Sequence, residues 1–151
     1  MCPMGHENWI NPACGTTVYV IKDSKVLFGT RSSDPGKGKL DAPGGFIEVN
    51  ESAERAAIRE TKEEFGIDIT LKNCFGTYPS VYNGRPSLNI VFIASMVDQN
   101  QSIVPSDDMN GGEFVWRSMN DLPGPDEVAD PVLLAIHADL QAWWGGRSAK
   151  P

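Results

Sequence analysis

The feature that most constrains this chain is a glycine-to-helix segment, residues 44–67, with the sequence GGFIEVNESAERAAIRETKEEFGI. Its helical half carries Glu60, Glu63 and Glu64. Residues three and four apart on an α-helix share one face, with β-carbons about 5–6 Å apart, so we expect these carboxylates to converge on one spot. Like charges at this spacing repel, and they lie toward the partly negative end of the helix dipole. A compensating positive charge is therefore expected at this face.

A divalent metal ion would supply that charge. Mg²⁺ and Mn²⁺ prefer oxygen ligands and are commonly held by a few carboxylates together with substrate phosphates. The alternative is a solvated glutamate face, which is the usual meaning of isolated charges at helical spacing. Here the glutamates follow a fixed pattern of glycines and charged residues, and this pattern favours the metal site.

The helix that carries the glutamates has clear boundaries in the sequence. Ser52 is a suitable N-cap, the helical pattern runs from about Ala53 to Phe65, and Gly66 is typical of the position after the last turn. Small residues at helical spacing predict a narrow face that packs closely on a sheet, and these are Ala53, Ala56, Ala57 and Thr61.

The whole segment resembles the sequence box of the Nudix hydrolases. Gly45 is followed after five residues by Glu51 and, after seven more, by Arg59-Glu60-Thr61-Lys62-Glu63-Glu64-Phe65-Gly66-Ile67, with Pro43-Gly44 directly ahead of the box. Thr61 is the one departure, because the family usually has a larger aliphatic residue there. We expect this change to loosen the packing under the helix without touching a ligand.

The resemblance implies an α/β protein with the Nudix fold, an α/β/α sandwich around a mixed β-sheet. It also implies a Mg²⁺ site, with Mn²⁺ as an alternative ion. The ligands would be the carbonyl oxygen of Gly44 and the carboxylates of Glu60, Glu63 and Glu64. The residues that support or orient these ligands would be Gly45, Glu51, Arg59 and Gly66, with Arg59 pairing with acidic residues of the box.

The reaction implied by the resemblance is hydrolysis of a phosphoanhydride bond in a nucleotide. This chemistry needs a water aimed at phosphorus and neutralisation of charge on the phosphoryl and leaving oxygens. The base that deprotonates the water is left open between Glu60, Glu63 and a carboxylate in residues 106–113, where many Nudix enzymes place one. The candidates in that loop are Asp107, Asp108 and Glu113. We prefer Asp108, although Asp107-Asp108 would equally suit an ordinary turn.

Residues outside the box determine the substrate, because Nudix proteins hydrolyse nucleoside diphosphates linked to a variable group X. ADP-ribose enzymes often have a proline about fifteen residues past the box, where this chain has Tyr82 and an earlier Pro79. We favour ADP-ribose or a nucleotide sugar. The alternatives are a (deoxy)nucleoside triphosphate pyrophosphohydrolase and a non-catalytic, nucleotide-sensing Nudix domain. Stacking on a base is conceivable for Tyr78, Tyr82 and Trp116, although aromatic residues at strand spacing more often pack in a core.

Basic residues shortly before the box are candidates for holding substrate phosphates: Arg31, Lys37 and Lys39. Arg in particular binds phosphate through two parallel hydrogen bonds, while the alternative is that all three are solvated loop charges. The loop is not a P-loop, because Lys37 is followed by Gly38 and not by Ser or Thr. Residues 40–42 lack the tryptophan that similar Nudix proteins often have before Pro-Gly-Gly, which leaves one apolar wall of the cleft without its usual side chain.

Length and charge limit the other functions open to this chain. Its 151 residues suit one domain, which we divide into an N-terminal segment 1–14, a Nudix domain 15–145 and a polar tail 146–151. The formal charge of −7 argues against a nucleic-acid or anionic-membrane surface. No apolar run approaches the ~20 residues of a membrane span and no signal peptide is evident, so we expect a cytoplasmic protein. Apolar strand edges would permit the homodimers that family members often form.

The cysteines, Cys2, Cys14 and Cys74, do not predict a disulfide framework. The opening Cys2-Pro-Met-Gly-His6 is similar to the first knuckle of the zinc ribbons that precede some Nudix domains, but its second cysteine is missing. Cys2, His6 and Cys14 supply three ligands where a structural zinc site needs four. We therefore favour a zinc-ribbon remnant without zinc.

The remaining segments predict strands and one more helix. Residues 16–21 and 25–30 read as a hairpin, 88–97 as a central buried strand, and 113–117 as a short strand. An alternating pattern between 68 and 82 ends at a turn over residues 83–86.

Asp130-Pro131 predicts the start of a C-terminal helix. Its apolar residues at helical spacing are Val132, Leu133, Ile136, Leu140 and Trp143. We expect this helix to dock on the sheet and to end at Gly145-Gly146. His137 lies opposite the main apolar stripe, so we expect it to be exposed and without a chemical role.

Overall fold

The computed structural model describes residues 11–107 and 113–148. In these residues the strands are β1 Ala13–Lys22, β2 Lys25–Thr30, β3 Leu40–Asp41, β4 Gly44–Phe46, β5 Ile69–Tyr82, β6 Arg85–Met96 and β7 Phe114–Ser118, and the helices are α1 Ala53–Phe65 and α2 Val132–Ser148. Across this part of the chain, neither helix has the length and apolar character needed to cross a membrane.

The strands form one mixed sheet in the order β3-β2-β1-β6-β5, with β4 also pairing with β1 and β7 with β2. β1 and β6 run parallel, from Ala13 opposite Ser87 to Val20 opposite Ala94. The other pairings are antiparallel. Because β6 is paired on both sides, the apolar run predicted as a central strand is confirmed.

The two faces of the sheet are covered by different helices. Alternate residues of β1 point to opposite faces, as they do in any strand, so Val18 and Val20 pack in one apolar cluster with Phe65 of α1. Tyr19 packs in the other cluster with Ile136 of α2. The predicted α/β/α sandwich is thereby confirmed.

Helix α1 has the predicted ends. The backbone N–H of Arg55 donates to the Ser52 hydroxyl at 3.2 Å, and Gly66 takes the left-handed conformation, with φ 69°, while its N–H donates to the Lys62 carbonyl. Thr61 is fully buried, and its hydroxyl donates to the Ala57 carbonyl at 2.7 Å. The polar side chain beneath the helix is therefore hydrogen-bonded within its own helix.

Helix α2 begins as predicted but continues past its expected end. The Asp130 carboxylate accepts the Val132 N–H at 3.0 Å, which makes Asp130 a cap. At the other end, the helix passes through Gly145-Gly146 to Ser148. The Arg147 guanidinium lies over the Trp143 ring, 4.7 Å from its centroid. This cation–π contact stabilises a last turn that the glycines alone would not favour.

The expectation that His137 is exposed is wrong, because it is only 4% exposed. Its ring meets those of Tyr19 and Phe28 edge-on, at centroid distances of 5.7 and 5.6 Å. Its Nδ1 lies 3.0 Å from the Pro123 carbonyl oxygen. The segment after β7, whose Met119, Leu122 and Val128 join the same apolar cluster, covers the side of α2 that the sequence pattern left to solvent.

This burial makes the stability of the protein depend on pH. Desolvation lowers the pKa of His137 below its usual value, so the unfolded chain binds a proton more readily than the folded one. Stability is then retained above about pH 6.5 and lost as the pH falls below it, by on the order of 1 kcal/mol per pH unit. Urea unfolding at pH 7.5 and 5.5 should show a larger loss for the wild type than for His137→Gln, which does not titrate. Equal losses would contradict this account.

Candidate active site

A cleft of about 560 Å³ opens beside β4, at the edge where β1, β6 and the start of α2 meet. Its lining combines backbone glycines, carboxylates, an arginine and two aromatic rings. The residues that matter below are Arg31, Asp41, Gly44, Gly45, Phe46, Glu60, Tyr82, Asn89 and Asp130.

The glycines of β4 allow α1 to approach the strand closely. β4 pairs with β1 in an antiparallel ladder, with Gly44 opposite Thr17. A β-carbon at Gly44 would lie 2.0 Å from the Thr16 carbonyl oxygen, and one at Gly45 would lie 2.4 Å from the Glu60 carboxyl carbon. Only glycine fits at position 44, where the clash is with backbone, whereas a β-carbon at position 45 would have to displace the Glu60 carboxylate, which packs directly against the strand.

Arg59 connects the acidic residues of the segment. Its Nε donates to Glu51 at 2.7 Å, and its Nη1 donates to Glu60 at 2.8 Å and to Glu63 at 3.1 Å. Its Nη2 also donates to the Phe46 carbonyl at 3.1 Å. The hydrogen bonds that Arg59 donates to Glu51, together with the Glu48 N–H, lower the pKa of Glu51 to about 2. The geometry suits the orienting role that the resemblance implies for Arg59, which remains a prediction.

Glu64 is the most desolvated of the glutamates of α1. Burial, with a further contribution from the nearby Asp41 and Glu60, raises its pKa to about 9 against the opposing effect of the Gly44 N–H that it accepts. One of its oxygens, Oε2, is buried without a hydrogen-bond partner among the described protein atoms. A buried carboxyl group in this state favours either a proton or a cation.

The three glutamates lie near one another but do not form a ready-made metal site. Within residues 11–107 and 113–148, no group of three Asp, Glu, His or Cys side chains is arranged to hold a metal ion. The reason is that Arg59 already binds Glu60 and Glu63, whereas Glu64 turns its buried carboxyl toward Gly44. The donor set is nevertheless the oxygen-rich kind that suits Mg²⁺, and the unpartnered oxygen of Glu64 fits such an ion.

Among the residues considered for substrate binding, Arg31 and Tyr82 line the cleft. Arg31 does not stand free, because its Nη1 donates to Asp41 at 3.2 Å. Tyr82 meets Phe46 edge-on, with ring centroids 5.4 Å apart. Lys39 is exposed and is not part of the cleft lining. A role for Lys39 in substrate binding gains no support from its position.

The other two aromatic candidates for base stacking lie elsewhere. The Tyr78 hydroxyl donates to Asp139 of α2 at 2.6 Å, which ties β5 to that helix. Trp116 borders a small cavity beside Lys22 and Lys25, away from the cleft. Both positions agree with the alternative reading, in which aromatic residues at strand spacing pack against neighbouring elements.

Several residues of the cleft were not identified from the sequence. Phe46 is inside the box, and Asp41 is just ahead of it, but neither position is distinctive. Asn89 did leave a signal, because it is the one amide in an apolar run. Its place at the cleft follows from the parallel pairing that sets it opposite Gly15. Asp130 was identified only as a helix cap.

Some sequence predictions fall on residues that the structure does not describe. Asp108, the preferred loop base, is one of them, and so are Cys2 and His6, the first two zinc candidates. Of the neighbouring loop candidates, Asp107 is exposed, and the backbone carbonyl of Glu113 accepts the Thr30 N–H at 3.3 Å. Cys14 is an exposed, free cysteine.

Comparison with known proteins gives concordant results. A family model described as the NUDIX domain matches residues 12–135. The chain is 33% identical over 117 residues to an ADP-ribose pyrophosphatase of Methanocaldococcus jannaschii, covering 76% of this chain and 67% of that protein. It is 28% identical over 118 residues to an oxidized purine nucleoside triphosphate hydrolase of Danio rerio, covering 78% and 74%. A solved Nudix hydrolase from Nitrosomonas europaea superposes with a TM-score of 0.75 at 25% identity, covering 100% of this chain and 81% of that one.

The α/β/α sandwich, with a glutamate-bearing helix packed on a Gly-Gly strand, defines an enzyme of the pyrophosphohydrolase class. The chain belongs to the Nudix hydrolase family, and the resemblance read from its sequence is confirmed.

Substitution by alanine should have different consequences at the two glycines of β4. Gly44→Ala places its β-carbon against backbone and should destabilise the fold by roughly 1–3 kcal/mol. Gly45→Ala meets only the mobile end of Glu60, so thermal unfolding should stay near wild type while hydrolysis of the phosphoanhydride bond falls. Gly124→Ala, in open space, is the control. Unchanged activity of Gly45→Ala would show that the close approach is unimportant for catalysis.

Proposed function

We propose that this protein is a magnesium-dependent hydrolase of the pyrophosphate linkage in nucleoside diphosphates linked to a group X, with ADP-ribose or a nucleotide sugar as substrate. The observation that carries the proposal is the buried, unpartnered oxygen of Glu64, which lies near Glu60, a residue that lines the cleft. The similarity to an ADP-ribose pyrophosphatase supports the choice of substrate.

The metal would be held by the carbonyl oxygen of Gly44 and by Glu60, Glu63 and Glu64. Bound Mg²⁺ supplies charge neutralisation on the phosphoryl oxygens and lowers the pKa of a coordinated water. The protein contributes the placement of the ligands. Arg59 holds Glu60 and Glu63 side by side. Burial disfavours the ionised form of Glu64, so its carboxylate would be stabilised by a nearby cation.

The base in this proposal is one of three carboxylates. Glu63 is 57% exposed and engages Arg59 through one oxygen, so its other oxygen can accept a proton from water. Glu60 lines the cleft, and burial raises its pKa against the effect of Arg59, which suits a base as well as a carboxylate that gains from a nearby cation. Asp108 remains the third candidate. Replacing each by its amide separates the three roles, since the base should lose turnover while metal binding persists.

A second function is supported by a separate comparison. The similarity to an oxidized purine nucleoside triphosphate hydrolase covers a similar share of the chain at lower identity, and it favours a triphosphate pyrophosphohydrolase as the alternative. A non-catalytic nucleotide sensor is the third reading, and it predicts saturable binding without turnover. In each case the partner is a small-molecule nucleotide. A cytoplasmic location and a homodimer are part of the proposal and are tested by fractionation and sedimentation.

Glu64→Gln should abolish most of the turnover and leave the protein folded. The pKa of about 9 at Glu64 means that the carboxyl group is protonated at neutral pH without a cation, so the amide is a close mimic of that state. The expected loss in magnesium-dependent turnover exceeds the roughly 10–100-fold cost of losing a residue that only orients a ligand. Glu54→Gln, on the exposed first turn of α1, should behave as wild type. Normal activity of Glu64→Gln would remove Glu64 from the metal site.

The products distinguish the two catalytic functions. ADP-ribose or a nucleotide sugar should yield a nucleoside monophosphate and a sugar phosphate, whereas a triphosphate cut between the α and β phosphates yields pyrophosphate. Ion-exchange chromatography of the products from both classes, each at equal concentration with Mg²⁺, measures the preference. Faster release of pyrophosphate from any triphosphate than of monophosphate from the first class would establish the alternative.

A further inference from the structure

One side of the cleft has a charge pattern that does not suit phosphate. We call it the acidic lobe and define it by Arg31, Asp41 and Asp130, which line both the main cleft and an adjoining cavity of about 140 Å³. In the described lining of these two cavities, Arg31 is the one cationic side chain. With two carboxylates beside it, the lobe is net negative and would repel a phosphate group.

The hydrogen-bonding capacity of the acidic lobe is only partly used. Asp41 accepts from Arg31 Nη1 and from the Ala42 N–H, and Asp130 accepts from the Val132 N–H. A carboxylate has about four acceptor sites, so both groups can accept more donors. Arg31 Nε is buried and has no hydrogen-bond partner among the described protein atoms. The lobe therefore offers acceptors that the protein itself does not satisfy, beside an arginine with an unpartnered Nε.

The aromatic wall of the cleft adjoins this lobe. Tyr82 lines both cavities beside Arg31 and Asp41, and Phe46 packs edge-on against it. A planar ring next to a row of hydrogen-bonding groups is the combination that recognises a nucleobase, by stacking on its face and reading its edge. Glu60, on the proposed phosphate side, lines the same cleft.

We propose that the acidic lobe selects a nucleobase with an exocyclic amino group, adenine in particular. This inference rests on the proposed function, because it takes a nucleotide to be the ligand of the cleft. The amino group of adenine donates to the Asp41 and Asp130 carboxylates, and the adjacent ring nitrogen accepts from Arg31. Hypoxanthine reverses this order, since a carbonyl oxygen replaces the amino group and the ring nitrogen carries a hydrogen. Its oxygen then faces a carboxylate, which is unfavourable.

The test compares binding of AMP and IMP, which differ in this edge of the base. Neither contains a phosphoanhydride bond, so titration calorimetry with Mg²⁺ present measures binding without turnover. We expect the wild type to bind AMP roughly 10-fold more tightly than IMP, as for one good pair of hydrogen bonds to a base edge. Equal affinities, or no saturable binding of AMP, would overturn the proposal.

Asp41→Asn should abolish the preference, because an amide presents a donor and an acceptor in place of two acceptors. Asp130→Asn is a second test variant. It should fold normally, since Asn also caps helices well, and it should likewise reduce the ratio of AMP affinity to IMP affinity. The control is Asp98→Asn. Asp98 lies beyond the other end of β6, and its carboxylate accepts the Asn100 N–H at 2.9 Å. A ratio unchanged in folded Asp41→Asn and Asp130→Asn would show that the lobe does not read the base.

The test of base recognition can fail or succeed independently of the proposed hydrolase activity. Collapse of the AMP preference in Asp41→Asn, with no hydrolysis of any nucleotide by the wild type, would support base recognition and reject the proposed hydrolase. If Asp41→Asn hydrolyses ADP-ribose with an unchanged KM and keeps the AMP preference, the proposed hydrolase is supported and base recognition by the acidic lobe is rejected. Agreement of both measurements, with KM raised and kcat nearly unchanged in Asp41→Asn, is the expected outcome.

Discussion

The site depends on the close approach of helix α1 to the Gly-Gly strand β4. A side chain at Gly45 would occupy the space of the Glu60 carboxyl group, and one at Gly44 would strike the backbone of β1. The Gly44 N–H also hydrogen-bonds Glu64. The acidic face of the helix and the floor of the cleft are therefore one packed unit, and neither can shift without the other.

Charge within this unit is partly neutralised by the protein itself. Arg59 binds Glu51, Glu60 and Glu63 at once, and burial favours the protonated form of Glu64. Repulsion along the helix is reduced in this way. A divalent cation entering the site would compete with Arg59 for two of its partners and would displace the proton of Glu64.

Local features of the fold could be predicted because they depend on neighbouring residues. Ser52 and Gly66 bound α1 through contacts within three or four residues, and Asp130 caps α2 in the same way. The exposure of His137 could not be predicted from helical spacing, because the segment that covers it comes from between β7 and α2. The helix likewise continues past Gly145-Gly146 because of an aromatic contact that propensity does not register.

By itself, the sequence determined the family and the identity of the acidic residues, since the spacing of glycines and glutamates along one strand–helix segment is a local property. The tertiary structure alone decided which carboxylates are neutralised and which is buried, because that depends on where Arg59 reaches and how closely β4 packs. It also decided the composition of the cleft. Asn89 and Asp130 are far from the box in the chain, and only the parallel pairing of β1 with β6 and the docking of α2 bring them to its edge.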